Sequence, residues 1–273
     1  MVEGDGGLAE ACAAPRVAPP QPTITMAAER AAISRGARPG VMLNITTEHV
    51  RTERPPRSFH VMPQRTGSAT HHRQTKKSRA LAQHRLALAA CQRCQLGAGI
   101  RPVMSEASNP RVMLVGQAPG KVEAEGGIPF SGRAGQTLFR WLARAGLDEK
   151  AAREMIYISA VTRCYPGPHP SGRGDRVPNR LEQSSCADWL EAELEIVRPK
   201  VVIPVGRLAI ERFLSNIPLS ELIGTQRVIK HTGGQSVVIP LPHPSGASSW
   251  VYQSENKLLL EKAIELIREA VGA

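Results

Sequence analysis

Five cysteines, a histidine between two prolines and a glycine-rich turn are the places where this sequence could do chemistry. Cys91, Cys94, Cys164 and Cys186 lie where the chain is patterned like a folded domain, whereas Cys12 lies in a Pro/Ala-rich leader. In a reducing compartment, four such thiols point to a metal site before disulfides. Four thiolates suit tetrahedral zinc or a [4Fe–4S] cluster. Cys91 and Cys94 form a C-x-x-C pair, but the long gap to Cys164 is unlike a compact zinc ribbon. Spacing alone leaves zinc and iron both open, with buried free thiols as a third reading. His243 stands between Pro242 and Pro244, whose fixed φ holds the loop and preorganises the imidazole. The plainer reading is a loop histidine without a chemical task. The turn Gly116-Gln117-Ala118-Pro119-Gly120 offers backbone N–H donors, Pro119 excepted. Gly120-Lys121 invites comparison with a phosphate-binding loop. Val115 and Val122 stand where that motif needs glycine and Ser/Thr, so it is excluded. No G-x-G-x-x-G follows a strand, so no dinucleotide cofactor is expected.

These residues need a frame, and the hydrophobic pattern predicts one. Arg111–Gly116, Met155–Val161, Lys200–Gly206 and Ser236–Leu241 are short apolar runs of the kind buried strands show. Arg133–Gly146 spaces Leu138, Trp141, Leu142 and Ala145 as one helical face, and Gly146 suits the helix end. Arg180–Val197 does the same with Cys186, Leu190, Leu194 and Val197, and Pro199 stops it. Helices are also expected over Leu208–Leu214 and Leu258–Val271. Strands alternating with helices predict a three-layer αβα sandwich around a central, mainly parallel four-stranded sheet. Sites on such sheets form where loops leave the carboxyl ends of strands. The Gly116–Gly120 turn and the Pro242–Ser249 segment both follow strands in this way.

Composition narrows the partners. The formal charge is +11, with 35 Lys and Arg against 24 Asp and Glu. Such an excess favours polyanions, nucleic acid first. Residues 1–85 are proline-rich and basic without a sustained apolar period, so they are expected to be a disordered basic arm that either tethers DNA or merely solubilises. Residues 86–273 are expected to be the catalytic domain. No apolar run reaches membrane-spanning length, and the first residues lack the basic and apolar parts of a secretory signal. A cytoplasmic protein associated with the bacterial nucleoid is expected, as a monomer and away from membranes.

Three features in order resemble one family. Gly116–Gly120, then Glu123, Gly127, Pro129-Phe130, Gly132 and Ala134-Gly135, resemble the first motif of the iron–sulfur uracil-DNA glycosylases, G-E-x-P-G-x-x-E followed by G-x-P-F-x-G-x-A-G. The four cysteines resemble that family's cluster ligands. Leu241-Pro242-His243-Pro244-Ser245 resembles its last motif, H-P-S or H-P-A. Arg198–Val202 and Val205-Gly206 fit between them, and the resemblance runs from about Cys91 to Val271. It implies an enzyme that extrudes a nucleotide from DNA, single- or double-stranded, and hydrolyses its glycosidic bond. It assigns His243 as the donor to the base anion and places Gln117 where glutamate is frequent. Gly116, Ala118, Pro119, Gly120, Phe130, Ala160 and Ser245 would line the base pocket, with Phe130 as stacking partner or, alternatively, a core residue. Arg133, Arg163, Ser248 and Trp250 would meet DNA. Cys91, Cys94, Cys164 and Cys186 would hold a [4Fe–4S] cluster of structural role.

Departures from the pattern bear on specificity. Gln117 can orient water but cannot take its proton. Ala160 stands where an asparagine often reads the uracil edge, so hypoxanthine or xanthine are alternative bases. A non-catalytic binder of uracil or abasic DNA is the alternative outside enzymology. Gly246–Ser249 lacks a bulky wedge; Trp250 is either its substitute or a core residue. Glu123 is either a general base or a structural acid, with the structural reading favoured. Lys121 is the nearest candidate for a Schiff-base nucleophile and does not sit clearly within these motifs, so no lyase step is expected.

Overall fold

The computed structural model describes residues 75–94, 96–97, 99–172, 174–215, 217–246 and 249–272. Its elements run α1 (Lys76–Ala89), β1 (Val112–Gly116), α2 (Lys121–Gly126), α3 (Arg133–Arg144), α4 (Glu149–Met155), β2 (Ile156–Ala160), α5 (Arg180–Val197), β3 (Val201–Pro204), α6 (Arg207–Glu211), α7 (Leu219–Leu222), β4 (Arg227–His231) and β5 (Gly234–Val238). A 3-10 turn (Ser249–Tyr252) and α8 (Ser254–Gly272) complete the order. The strands form one sheet in the order β2-β1-β3-β5-β4. All neighbouring strands are parallel except β4, which runs antiparallel to β5.

Alternation along β1 explains why both faces are covered. Val112 and Leu114 point to one core with Leu138 and Leu142 of α3 and Leu260 and Ile264 of α8. Met113 and Val115 point to the other, with Leu81 of α1 and Leu190 and Leu194 of α5. A strand buried on both sides reads as an unbroken apolar run for this reason. The α/β class and three layers are as expected, but the sheet has five strands rather than four. The extra strand, Arg227–His231, lies at the edge and is largely exposed. Its polar residues carry no buried-strand signature. The hairpin into β5 turns at Thr232-Gly233, where a side chain on Gly233 would meet the Leu194 carbonyl at 1.9 Å.

Residues 76–85, expected to belong to the disordered arm, are helical. Helix α1 covers them and is capped by Thr75 Oγ1, which accepts from the Ser78 N–H at 3.1 Å. The basic residues conceal its apolar face, Leu81 and Leu88, both fully buried. Lys77 Nζ donates to Val197 O at 2.7 Å and Pro110 O at 3.0 Å, so a residue of the basic run locks α1 onto the end of α5. Residues 1–74 lie outside the described residues. Among the described residues, no helix is long and apolar enough to cross a membrane.

Candidate active site and cysteine cavity

A cavity of about 870 Å³ opens at the carboxyl ends of the central strands. The end of β1, Gly116, faces the end of β2, Ala160, in register. Backbone bonds from Val161 N–H to Gly116 O (2.9 Å) and from Thr162 N–H to Gln117 O (3.2 Å) continue the pairing into the loop. Gly116, Gln117, Ala118, Pro119 and Gly120 line one side, Ser159 and Ala160 the next, and His243 and Ser245 the third.

Phe130 also lines this cavity, and its position is held from below. A side chain on Gly116 would meet Phe130 Cζ at 3.0 Å, so the ring lies against the glycine. Phe130 itself has φ 52°, an uncommon backbone for a bulky residue. Gly135 permits the approach, since a Cβ there would meet the Phe130 carbonyl oxygen at 1.7 Å. Arg153 of α4 donates to Pro129 O at 2.9 Å, lies over the Phe139 ring at 4.5 Å and pairs with Glu149 at 2.8 Å. Strain of this kind persists only where the surroundings over-determine it. Phe130 is half-buried, packs on the core and lines the cavity.

His243 rests on Gly206, whose φ is +84° and where a Cβ would meet His243 Cδ2 at 2.9 Å. The Ser245 backbone N–H donates to His243 Nδ1 at 3.2 Å, with Ser245 Oγ at 2.8 Å. A backbone N–H can only donate, so Nδ1 is the acceptor and the neutral ring carries its proton on Nε2. Burial lowers the His243 pKa below its ordinary value, which keeps the ring neutral near pH 7.

Glu123 is buried and accepts the Gly132 N–H at 3.1 Å, tying α2 to the start of α3. This is its structural reading. Three rim residues were not anticipated. Asp175 Oδ2 lies 3.0 Å from where a Gly120 Cβ would stand, and Arg140 and Lys121 line the opening beside the predicted Arg133. Asp175 and Arg140 lie outside the motifs and reach the pocket only through the fold, whereas Lys121 directly follows the Gly116–Gly120 turn.

Arg163 is a correction. Expected at DNA phosphates, it is 2% exposed, and its guanidinium pairs with Glu193 of α5. Glu193, fully buried, also accepts from Tyr157 Oη (2.9 Å) and Ser159 Oγ (2.8 Å), with His84 Nε2 at 3.1 Å. A buried carboxylate needs such partners. Because Arg163 balances its charge, burial dominates at His84, with the Arg163 and Arg85 charges adding, and lowers its pKa to about 4. Trp250 packs against the core beside α8, and its carbonyl accepts from Asn256 Nδ2 at 2.9 Å. Ser248 lies outside the described residues.

A second cavity, about 510 Å³, is lined by Cys91, Cys94, Cys164 and Cys186. All four are free thiols. Cys91 and Cys94 follow α1, Cys164 follows β2 and Cys186 comes from α5, so the fold gathers them from three segments. Trp189 Nε1 donates to Cys91 Sγ at 3.3 Å. Burial raises Cys94, Cys164 and Cys186, and the neighbouring thiols push Cys164 further, to about 12. Among the described residues, no three His, Cys, Asp or Glu side chains converge on one point as a single metal ion requires. Arg163 lines both cavities.

Comparison with known proteins agrees with this geometry. The profile of the Uracil DNA glycosylase superfamily matches residues 103–268. A type-4 uracil-DNA glycosylase of Thermotoga maritima is 35% identical over 135 residues, 50% of this chain and 65% of that protein. A type-4 uracil-DNA glycosylase of Archaeoglobus fulgidus is 30% identical over 191 residues, 67% of this chain and 89% of the other. A type-5 uracil-DNA glycosylase of Pyrobaculum aerophilum is 31% identical over 178 residues, 60% and 72% respectively. With a profile covering most of the described residues and a pocket built from the same segments, this chain belongs to the uracil DNA glycosylase superfamily.

Proposed function

We propose that this protein is a monofunctional DNA glycosylase that removes uracil from DNA by hydrolysing the N-glycosidic bond. The observation that carries the reading is His243, whose tautomer is fixed by Ser245 inside a pocket floored by Phe130. An extruded uracil would stack on Phe130, worth roughly 1–3 kcal/mol. As the bond to C1′ breaks, negative charge gathers on the base carbonyl. The Nε2–H of neutral His243 donates to that oxygen, in the manner of an oxyanion hole. Backbone N–H groups of Gln117, Ala118 and Gly120 add donors, and the Gln117 amide orients the attacking water. Arg133, with Arg140 and Lys121 at the rim, meets the phosphates.

The residues present fit an iron–sulfur cluster. Cys91, Cys94, Cys164 and Cys186 are four free thiols around one cavity. Four thiolates suit tetrahedral zinc as well, and the likeness to the iron–sulfur uracil-DNA glycosylases favours the cluster. A cluster spreads its ligands over several irons. When bound, it would join α1, the segment after β2 and α5 into one body, and no catalytic step runs through it.

A second reading concerns the base. Ala160, opposite Gly116, offers the base edge no side-chain amide. A pocket with few polar partners discriminates weakly, so hypoxanthine and xanthine are further candidate substrates.

The test uses single- and double-stranded oligonucleotides carrying one uracil, with alkali added to cleave abasic sites. Cleavage by the native protein, reduced on the order of 10²–10³-fold by His243→Ala, is the expected outcome. Binding without product would instead make the protein a reader of damaged DNA, and cleavage confined to hypoxanthine or xanthine would move the substrate class.

A further inference from the structure

Two buried donors face the cysteine cavity with nothing to bond. Thr162 and Arg163 immediately precede Cys164 and line that cavity. They are 3% and 2% exposed. Thr162 Oγ1 and Arg163 Nε have no hydrogen-bond partner. Nη2 of the same guanidinium is taken up by Glu193, while Nε is left without a partner. A buried donor left unpaired is costly, and an orphan of this kind calls for an acceptor.

The chemistry of the cavity names the acceptor. Two other N–H groups already address its sulfurs: Trp189 Nε1 reaches Cys91 Sγ at 3.3 Å, and the Arg163 backbone N–H bonds to Cys186. Glu182, the carboxylate on the wall, is taken up by Arg176 at 2.5 Å and 2.8 Å. The four thiol sulfurs line the same cavity and are acceptors within it. We propose that Thr162 Oγ–H and Arg163 Nε–H donate hydrogen bonds to the sulfurs of an iron–sulfur cluster held by the four cysteines. This rests on the reading of those cysteines as cluster ligands. The two side chains are positioning residues for the cofactor: they do not touch the DNA base.

Hydrogen bonds to cluster sulfurs lower the basicity of the sulfides and favour the more reduced state. Loss of such an outer partner typically weakens metal holding by 10–100-fold. Thr162→Val removes the hydroxyl at nearly constant shape, and Thr162→Ser restores it. Arg163→Lys keeps a positive charge for Glu193 but withdraws the Nε–H. Thr162→Val keeps the proposal testable should Arg163→Lys fail to fold.

The full-length chain is purified anaerobically, and iron, acid-labile sulfide and visible absorbance are measured first on the native protein. Loss of that absorbance is then followed under chelator and ferricyanide, with the midpoint potential read in parallel. The expected result is cluster loss about tenfold faster and a lower potential in Thr162→Val, with native behaviour in Thr162→Ser. Native loss rates and potentials in both Thr162→Val and a folded Arg163→Lys would overturn the proposal while leaving the cluster in place. A native protein holding zinc, or neither iron nor sulfide, would overturn the cluster reading before any variant is compared.

Discussion

At the scale of single residues, the side chains that line the pocket rest on supports from elsewhere in the chain. His243 and Phe130 announced themselves through flanking prolines and glycines. Gly206, which His243 rests on, comes from a different strand end and gives no local sign of that contact. Gly206→Ala is therefore an informative change. Its φ of +84° disfavours any side chain, and the new Cβ would press on His243 Cδ2. A loss of kcat on the order of tenfold or more is expected, with a stability loss of only about 1–3 kcal/mol, checked by steady-state kinetics beside thermal melting. Arg163 was misread for the complementary reason. An arginine after a strand in a basic protein looks like a phosphate ligand, and nothing nearby in sequence names its partner, Glu193, on α5.

At the scale of elements, pairing across distance decides what each helix is for. The short helix α4 carries no motif, yet its Arg153 holds the Pro129 carbonyl and so fixes the Phe130 turn. In Arg153→Ala this turn relaxes from its strained φ, and KM for uracil-containing DNA is expected to rise several-fold, with a smaller change in kcat. Helices α1 and α5 meet through His84 and Glu193. His84 has a folded pKa of about 4 against 6.5 unfolded. A lowered folded pKa means that the neutral ring stabilises the fold above pH 6.5. That contribution, at most about 3 kcal/mol, is lost as pH falls from 6.5 towards 4. Thermal melts over this window are expected to decline in the native protein and to flatten in His84→Gln. Four strands and helices α3, α5, α6 and α8 could be read from periodicity. The edge strand β4 could not, because an exposed strand has no buried face to imprint a pattern, and α1 was hidden by the lysines and arginines on its outer side.

At the scale of the whole molecule, the formal charge of +11 and the cationic rim of the pocket point to the same polyanion. Arg133→Gln and Arg140→Gln are each expected to weaken DNA binding about equally for all sequences. Each should lower the slope of log affinity against log salt by about 1, as measured by fluorescence anisotropy at several salt concentrations. The parallel sheet explains why one end of the molecule collects so much. Every parallel strand delivers its following loop to the same edge, so segments from Gly116 to Ser245 meet there.

The placement of the four thiols also sets an order of events during biosynthesis. Cys91 and Cys94 leave the ribosome early, Cys164 only after β2, and Cys186 within α5. Their shared cavity exists only once α1 has docked on α5 through Lys77 and the His84–Trp189 edge contact. A nascent chain halted before α5 has made Cys91, Cys94 and Cys164 but not Cys186, an incomplete set of thiols. On the proposed reading of these thiols, the complete site is therefore assembled only once α5 has followed.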